Sequence, residues 1–167
     1  FLQEVWRFPA WLAGLATLPP TIMLLVLSTA VGSFAGRYGP RWFMAAGPAV
    51  GAVGALLLLL AGDDPNGYWW SVFPGLVLIG VGIALMVTPL TSAVLGSVPQ
   101  SEAGSGSAVN NAVARIAGLV TVALAGVVLG GEVSVDGLHR AMVVMALLLL
   151  AGAVVCAVGI RNTPART

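Results

Sequence analysis

The amino-acid sequence predicts an all-α integral membrane protein with five transmembrane helices. Five apolar runs, Pro9 to Ala35, Phe43 to Gly62, Tyr68 to Val98, Ala103 to Gly131 and Ala141 to Ile160, are each long enough to cross about 30 Å of hydrocarbon at about 1.5 Å per residue. All the formal charges but one lie in the short segments between the runs, and the exception is Arg115. Hydrophobic residues make up 59% of the chain and charged residues 8%, against about 25% charged in soluble domains, so there is too little polar surface to cover a soluble core. A span in lipid must satisfy its own backbone, and no alternating barrel pattern is present. The runs therefore read as helices, at about 10–35, 43–62, 69–96, 105–130 and 141–160.

In the first helix, Pro19 and Pro20 remove two backbone donors and predict a kink or a broken turn. Its hydroxyls, Thr17, Thr21, Ser28 and Thr29, are expected to bond nearby backbone carbonyls. Gly32 and Gly36 at its end, and Gly47, Gly51 and Gly54 on the second helix, have the small-residue spacing that lets helix backbones approach. Pro48 predicts a further bend. The turn Asp63-Asp64-Pro65-Asn66-Gly67 stops the second helix. Trp6, Trp11, Trp42, Tyr68, Trp69 and Trp70 lie near run ends, where amphipathic rings settle at the headgroups.

The third helix carries Pro74 and Pro89, with Thr88, Thr91 and Ser92 beside the second proline. These hydroxyls can repair a carbonyl freed by Pro89 or line a path. The fourth helix begins somewhere between Ser101 and Ser107 and carries Asn110, Asn111 and Arg115, of which Asn111 and Arg115 share a face. Arg115, placed one to two turns inside, can face a cavity and meet an anionic group, or snorkel to the headgroups. The asparagines can serve the same cavity or bond neighbouring helices. On the fifth helix Cys156 reads as a small buried residue. His139 and Arg140 are expected in a solvated loop before it.

Alternation of the helices puts Arg37, Arg41, Glu102, Arg161 and Arg166 on one side, joined by Arg115, with Arg7 and Arg140 on the other. Glu4, Asp63, Asp64, Glu132 and Asp136 fall opposite the arginine-rich side, so that side, with the C-terminus, is expected to be cytoplasmic. A net charge of +1 with no basic run gives no footing for nucleic acid. Metalloprotease, phosphate-loop, nucleophile-elbow and Cys-x-x-Cys motifs are all missing, so no enzyme, metal site or cofactor is expected. No carboxylate falls inside an apolar run. The chain begins Phe1-Leu2-Gln3 without a methionine and reads as the C-terminal piece of a longer protein, with its N-terminal half missing.

The segment Gly32-Ser33-Phe34-Ala35-Gly36-Arg37-Tyr38-Gly39-Pro40-Arg41 resembles the signature loop of the major facilitator superfamily, with Gly32, Arg37, Gly39 and Arg41 in register and Gly36 in place of the usual aspartate. Leu2-Gln3-Glu4-Val5, Ala13-Gly14-Leu15-Ala16-Thr17-Leu18-Pro19, Pro89-Leu90-Thr91-Ser92, Val98-Pro99, and Gly104 with Asn111 and Arg115 are similar, in order and spacing, to the C-terminal half of fourteen-helix drug:proton antiporters. The resemblance implies that the five helices form most of a six-helix half-bundle. It further implies that Gly32, Arg37, Gly39 and Arg41 form a conformational latch, and that Asn111 and Arg115 lie towards the inner mouth of a cavity. Ile116 stands where that family often has glutamine. The expected function is proton-coupled efflux of drugs or amphipathic small molecules by alternating access across a bacterial inner membrane. The alternatives are a metabolite or uptake facilitator of the same superfamily and a non-transport membrane scaffold.

Overall fold

The computed structural model describes residues 1–96, 99–129 and 134–160, and among these it is helical without strands. The helices are α1 (Ala10–Ala16), α2 (Pro19–Tyr38), α3 (Pro40–Leu57), α4 (Phe73–Gly96), α5 (Ala103–Leu129) and α6 (Val135–Gly159). Five helical stretches are long and apolar enough to cross a membrane, α1 and α2 together making the first. The centre of the bundle is the α3–α4 pair. α2 packs on α4, α6 packs on α3, and α5 touches only α4 and α6, sparingly.

Glycine explains why α3 and α4 form the centre. Gly47, Gly51 and Gly54 of α3 are buried, as the spacing predicts, and the surfaces they meet are Gly75 and Gly82 of α4. A Cβ added at Gly82 would stand 2.6 Å from the Gly47 carbonyl oxygen, and one at Gly54 would stand 2.7 Å from the Gly75 carbonyl oxygen. The two backbones are therefore in direct contact. In lipid, where burying a leucine gains little over leaving it among acyl chains, such close van der Waals approach is the main source of association. α2 uses the same device, since a Cβ on Gly80 would fall 2.5 Å from the Pro20 Cα. Gly36, by contrast, is exposed with nothing near it, so it serves no packing role. Between α3 and α6 the core is again small, with Ala52, Ala55 and Ala146 buried against Met142, Met145 and Leu149.

Proline shapes the helix ends more than their interiors. Pro19 and Pro20 take the first two positions of α2, where no intrahelical donor is needed, and the first span is broken at Thr17 and Leu18. The Ala16 carbonyl would have bonded the Pro20 N–H that does not exist. The Tyr68 hydroxyl donates to it instead, at 2.6 Å, from the other side of the bundle end. Tyr68 begins a π turn, Tyr68–Val72, in which the Phe73 N–H reaches back five residues to the Tyr68 carbonyl. Pro74 therefore sits in the first turn of α4 and not at an interior kink as expected. Pro48 and Pro89 do lie inside helices, and Pro89 is fully buried.

Three further elements depart from expectation. α6 starts at Val135, ahead of the apolar run, because the Ser134 hydroxyl caps it by accepting from the Gly137 N–H at 3.1 Å. His139 and Arg140 consequently lie on the helix, and the half-buried His139 ring bonds the Ala61 carbonyl at 2.9 Å through Nε2. Asp136 is likewise in the first turn of a spanning helix, so the apolar runs understated how far charge enters the helices. Trp6 is buried and donates through Nε1 to the Gly62 carbonyl at 2.8 Å, so it is part of the core and not of an interfacial belt. Cys156 is only half-buried.

Two outcomes test this packing. Gly82→Leu in the full-length protein should lower stability by about 1–3 kcal/mol, because the new side chain meets backbone that cannot turn aside; unfolding in lipid nanodiscs at the wild-type midpoint would refute the contact. Tyr68→Phe should cost about 1 kcal/mol and speed amide hydrogen exchange at residues near the α1–α2 break, with no change near Gly39.

Candidate functional site

The loop expected to act as a latch is built on one backbone position. Gly39 ends α2 and precedes α3 with φ 86° and ψ 151°, a region open to glycine and closed to residues with a Cβ. That geometry turns the chain back within a single residue and presents Arg37 and Arg41 at the same end of the bundle. Arg37 is exposed. Arg41 instead reaches across the bundle, its Nε–H donating to the Ala157 carbonyl at 2.8 Å, while its guanidinium stands 5.4 Å from the centre of the Trp42 ring. Ala157 lies in the last turn of α6, where carbonyls lack helical partners and the helix dipole favours a cation. This bond also fixes the relative ends: the α6 C-terminus lies beside Arg41, in line with the alternation of the spans. Gly32 faces α4, with the Thr88 methyl 3.2 Å from where a Cβ would stand.

The hydroxyls near Pro89 are engaged with their own helix. Thr91 donates to the Val87 carbonyl at 3.1 Å and Ser92 to the Thr88 carbonyl at 3.4 Å. Neither bonds the Leu85 carbonyl that Pro89 frees. Both residues are exposed, and Thr88 is half-buried. The hydroxyls of the first span behave in the same local manner, Thr17 bonding the Ala13 and Gly14 carbonyls and Ser28 that of Leu25.

α5 differs from every other helix. None of the residues in its span is buried, so its whole surface is uncovered by the described residues. Arg115 lies near the midpoint of the candidate span Ala103–Val128, roughly 18 Å along the helix from Ala103 and deeper than the one to two turns expected. Asn111 and Arg115 share an exposed face, and neither side chain makes a hydrogen bond or ion pair with a described residue. Asn110 lies one residue away, about 100° around the helix, so it does not join them. It faces a groove of about 490 Å³ between α4 and α5, which it lines together with Val94 and Glu102. The predicted residues thus separate into three places: the Arg41 clasp at one bundle end, the Asn111–Arg115 face, and the Asn110 groove. A second cavity, about 520 Å³ and mostly apolar, lies at the opposite end beside the α1–α2 break, between Leu15, Pro19, Tyr68 and Phe73.

Sequence reasoning missed the side chains that bond backbone across the bundle: Trp6, Arg41, Tyr68 and His139. Only for Tyr68 was a signal available, because Pro20 announces a carbonyl at Ala16 in need of a donor. Among the described residues no group of His, Cys, Asp or Glu is arranged to hold a metal ion.

The profile of the Major Facilitator Superfamily matches residues 6–167. The chain is 32% identical over 134 residues to the multidrug resistance protein Stp of Mycobacterium tuberculosis, covering 80% of this chain and 24% of that protein. It is 32% identical over 132 residues to the probable actinorhodin transporter of Streptomyces coelicolor, covering 78% and 23%, and 28% identical over 127 residues to the multidrug efflux pump LfrA of Mycolicibacterium smegmatis, covering 76% and 25%. The chain thus spans about a quarter of the length of these relatives. No solved structure matches it. With the family profile covering all but the first five residues and the helices packed as part of a transporter half-bundle, the chain belongs to the Major Facilitator Superfamily.

Proposed function

We propose that this chain is the C-terminal helical bundle of a longer transporter that exports drugs or other amphipathic small molecules in exchange for protons. The observation that carries the reading is the company the sequence keeps: relatives from several actinobacteria at about 30% identity are named for multidrug resistance, multidrug efflux or transport of an actinorhodin. The second support is physical. Arg115 and Asn111 occupy the middle of a span on a helix with no covering neighbour, and a guanidinium facing hydrocarbon at that depth costs roughly 3 kcal/mol or more. The cost disappears if that face lines a water-filled cavity against a second bundle, which is the arrangement alternating access requires. Arg115 then meets anionic groups of cargo or of the second bundle, and Asn111 supplies hydrogen bonds beside it.

In this reading the protein spans the cell membrane with Arg37, Arg41 and the C-terminus in the cytoplasm, following the excess of arginine in the segments at that end. The proton-titrating group belongs to the second bundle. The carboxylates of the described spans are confined to their ends: Asp136 is in the first turn of α6 and exposed.

Two measurements check the reading. In vesicles holding the full-length protein, an imposed proton gradient should drive dye efflux. Arg115→Ala should cut that efflux about tenfold, equivalent to roughly 1.4 kcal/mol, with Arg115→Lys recovering part of it; equal rates in wild type and Arg115→Ala would remove the residue from the mechanism. For sidedness, a Cys156→Ala background carrying Asp63→Cys should react with an impermeant maleimide on intact cells, whereas Arg37→Cys should react only after permeabilisation. The reverse pattern inverts the topology.

A further inference from the structure

The groove between α4 and α5 has a polarity of its own. Glu102, Ser105, Val109, Asn110 and Val113 follow one another at intervals of three or four residues, so they line one face of the start of α5, and Val94 of α4 supplies the opposing wall. The stripe runs about 16 Å from Glu102, at the end of the bundle that holds Arg41, to Val113 within the span. Its outer end carries a carboxylate, its middle an amide, and its walls are valine. Among the described residues the Glu102 carboxylate, the Ser105 hydroxyl and the Asn110 amide make no hydrogen bond or ion pair. Glu102 is the sole carboxylate in the segments at that end, where Arg37 and Arg41 also lie.

We propose that this groove captures an organic cation with an apolar body, holding the positive centre at Glu102 and the apolar part against Val94, Val109 and Val113. The inference rests on the export reading and names its cargo class. Charge complementarity selects the occupant. A packed helix or an acyl chain would satisfy the valines but leave the carboxylate covered without a partner, which is costly, and an anionic headgroup would be repelled. The Asn110 carbonyl oxygen accepts a hydrogen bond from any N–H the cation carries. A carboxylate in the turn before α5 also complements the helix dipole, but a capping role requires neither the alignment of Ser105 and Asn110 below it nor the valine wall.

Tetraphenylphosphonium and tetraphenylborate, matched in size and opposite in charge, provide the test. Their binding is measured to the full-length protein in phosphatidylcholine nanodiscs, with lipid-only nanodiscs subtracted. E102Q should weaken tetraphenylphosphonium binding about fivefold, the scale of a partly solvated ion pair, and leave tetraphenylborate unchanged. E102K should reverse the preference between the two ions, and Val109→Trp, which fills the groove, should weaken the cation without that reversal. Cation binding that is absent, or identical in wild type and E102Q, overturns the proposal, as does an equal loss of both ions accompanied by lower thermal stability, which marks a capping role. Glu102-dependent cation binding in a protein that shows no gradient-driven efflux supports the groove and sinks the export reading alone. Efflux that persists with no dependence on Glu102 does the opposite.

Discussion

Backbone contact between α3 and α4 is the constraint on which the rest of the bundle depends. Gly47 and Gly54 on one helix, and Gly75 and Gly82 on the other, remove the side chains that would hold the axes apart. A bilayer offers apolar side chains as good a solvent as another helix does, so shape and proximity must supply the attraction. The same logic extends outward. α2 is admitted by Gly80 against Pro20, and α6 by the alanines at 52, 55 and 146. Larger side chains are largely left to the lipid: Leu25, Leu147, Val155 and Val158 are all well exposed. This is an inside-out arrangement compared with a soluble core.

Close packing leaves the ends of the bundle to solve a different problem, because helix termini and prolines expose carbonyls where water is scarce. The chain meets this with side chains that cross from one helix to the backbone of another. Tyr68 serves Ala16 and Trp6 serves Gly62, while His139 and Arg41 serve Ala61 and Ala157. Each of these bonds satisfies an orphaned group and also records which helix lies beside which. Arg41 is the clearest case. The family signature marks this arginine as part of a moving latch, and within this bundle it caps the last helix.

The fold was legible in the sequence because the bilayer imposes simple rules: a minimum apolar length, helices only, and charge at the ends. Those rules located all five spans and the break at Pro19 and Pro20. They were blind to the beginnings of helices, since a polar cap such as Ser134 can carry α6 beyond its apolar run to include Asp136, His139 and Arg140. The site was legible in part. Asn110, Asn111 and Arg115 stood out as polar groups in an apolar helix, but sorting Asn110 away from the other two needed the position of α4, which supplies the wall of its groove. The crossing bonds of Arg41 and His139 join residues 116 and 78 positions apart, and no local pattern announces such partners.

The pairing of α3 with α6 has a mechanical corollary. The two helices run antiparallel, and the start of each is tied to the finish of the other: Arg41 to Ala157 at one end, His139 to Ala61 at the other. Sliding one helix along its neighbour by a single residue, about 1.5 Å, would disturb both ties at once. Tilting the pair as a unit disturbs neither. The pair therefore behaves as a strut, stiff against shear and free to pivot.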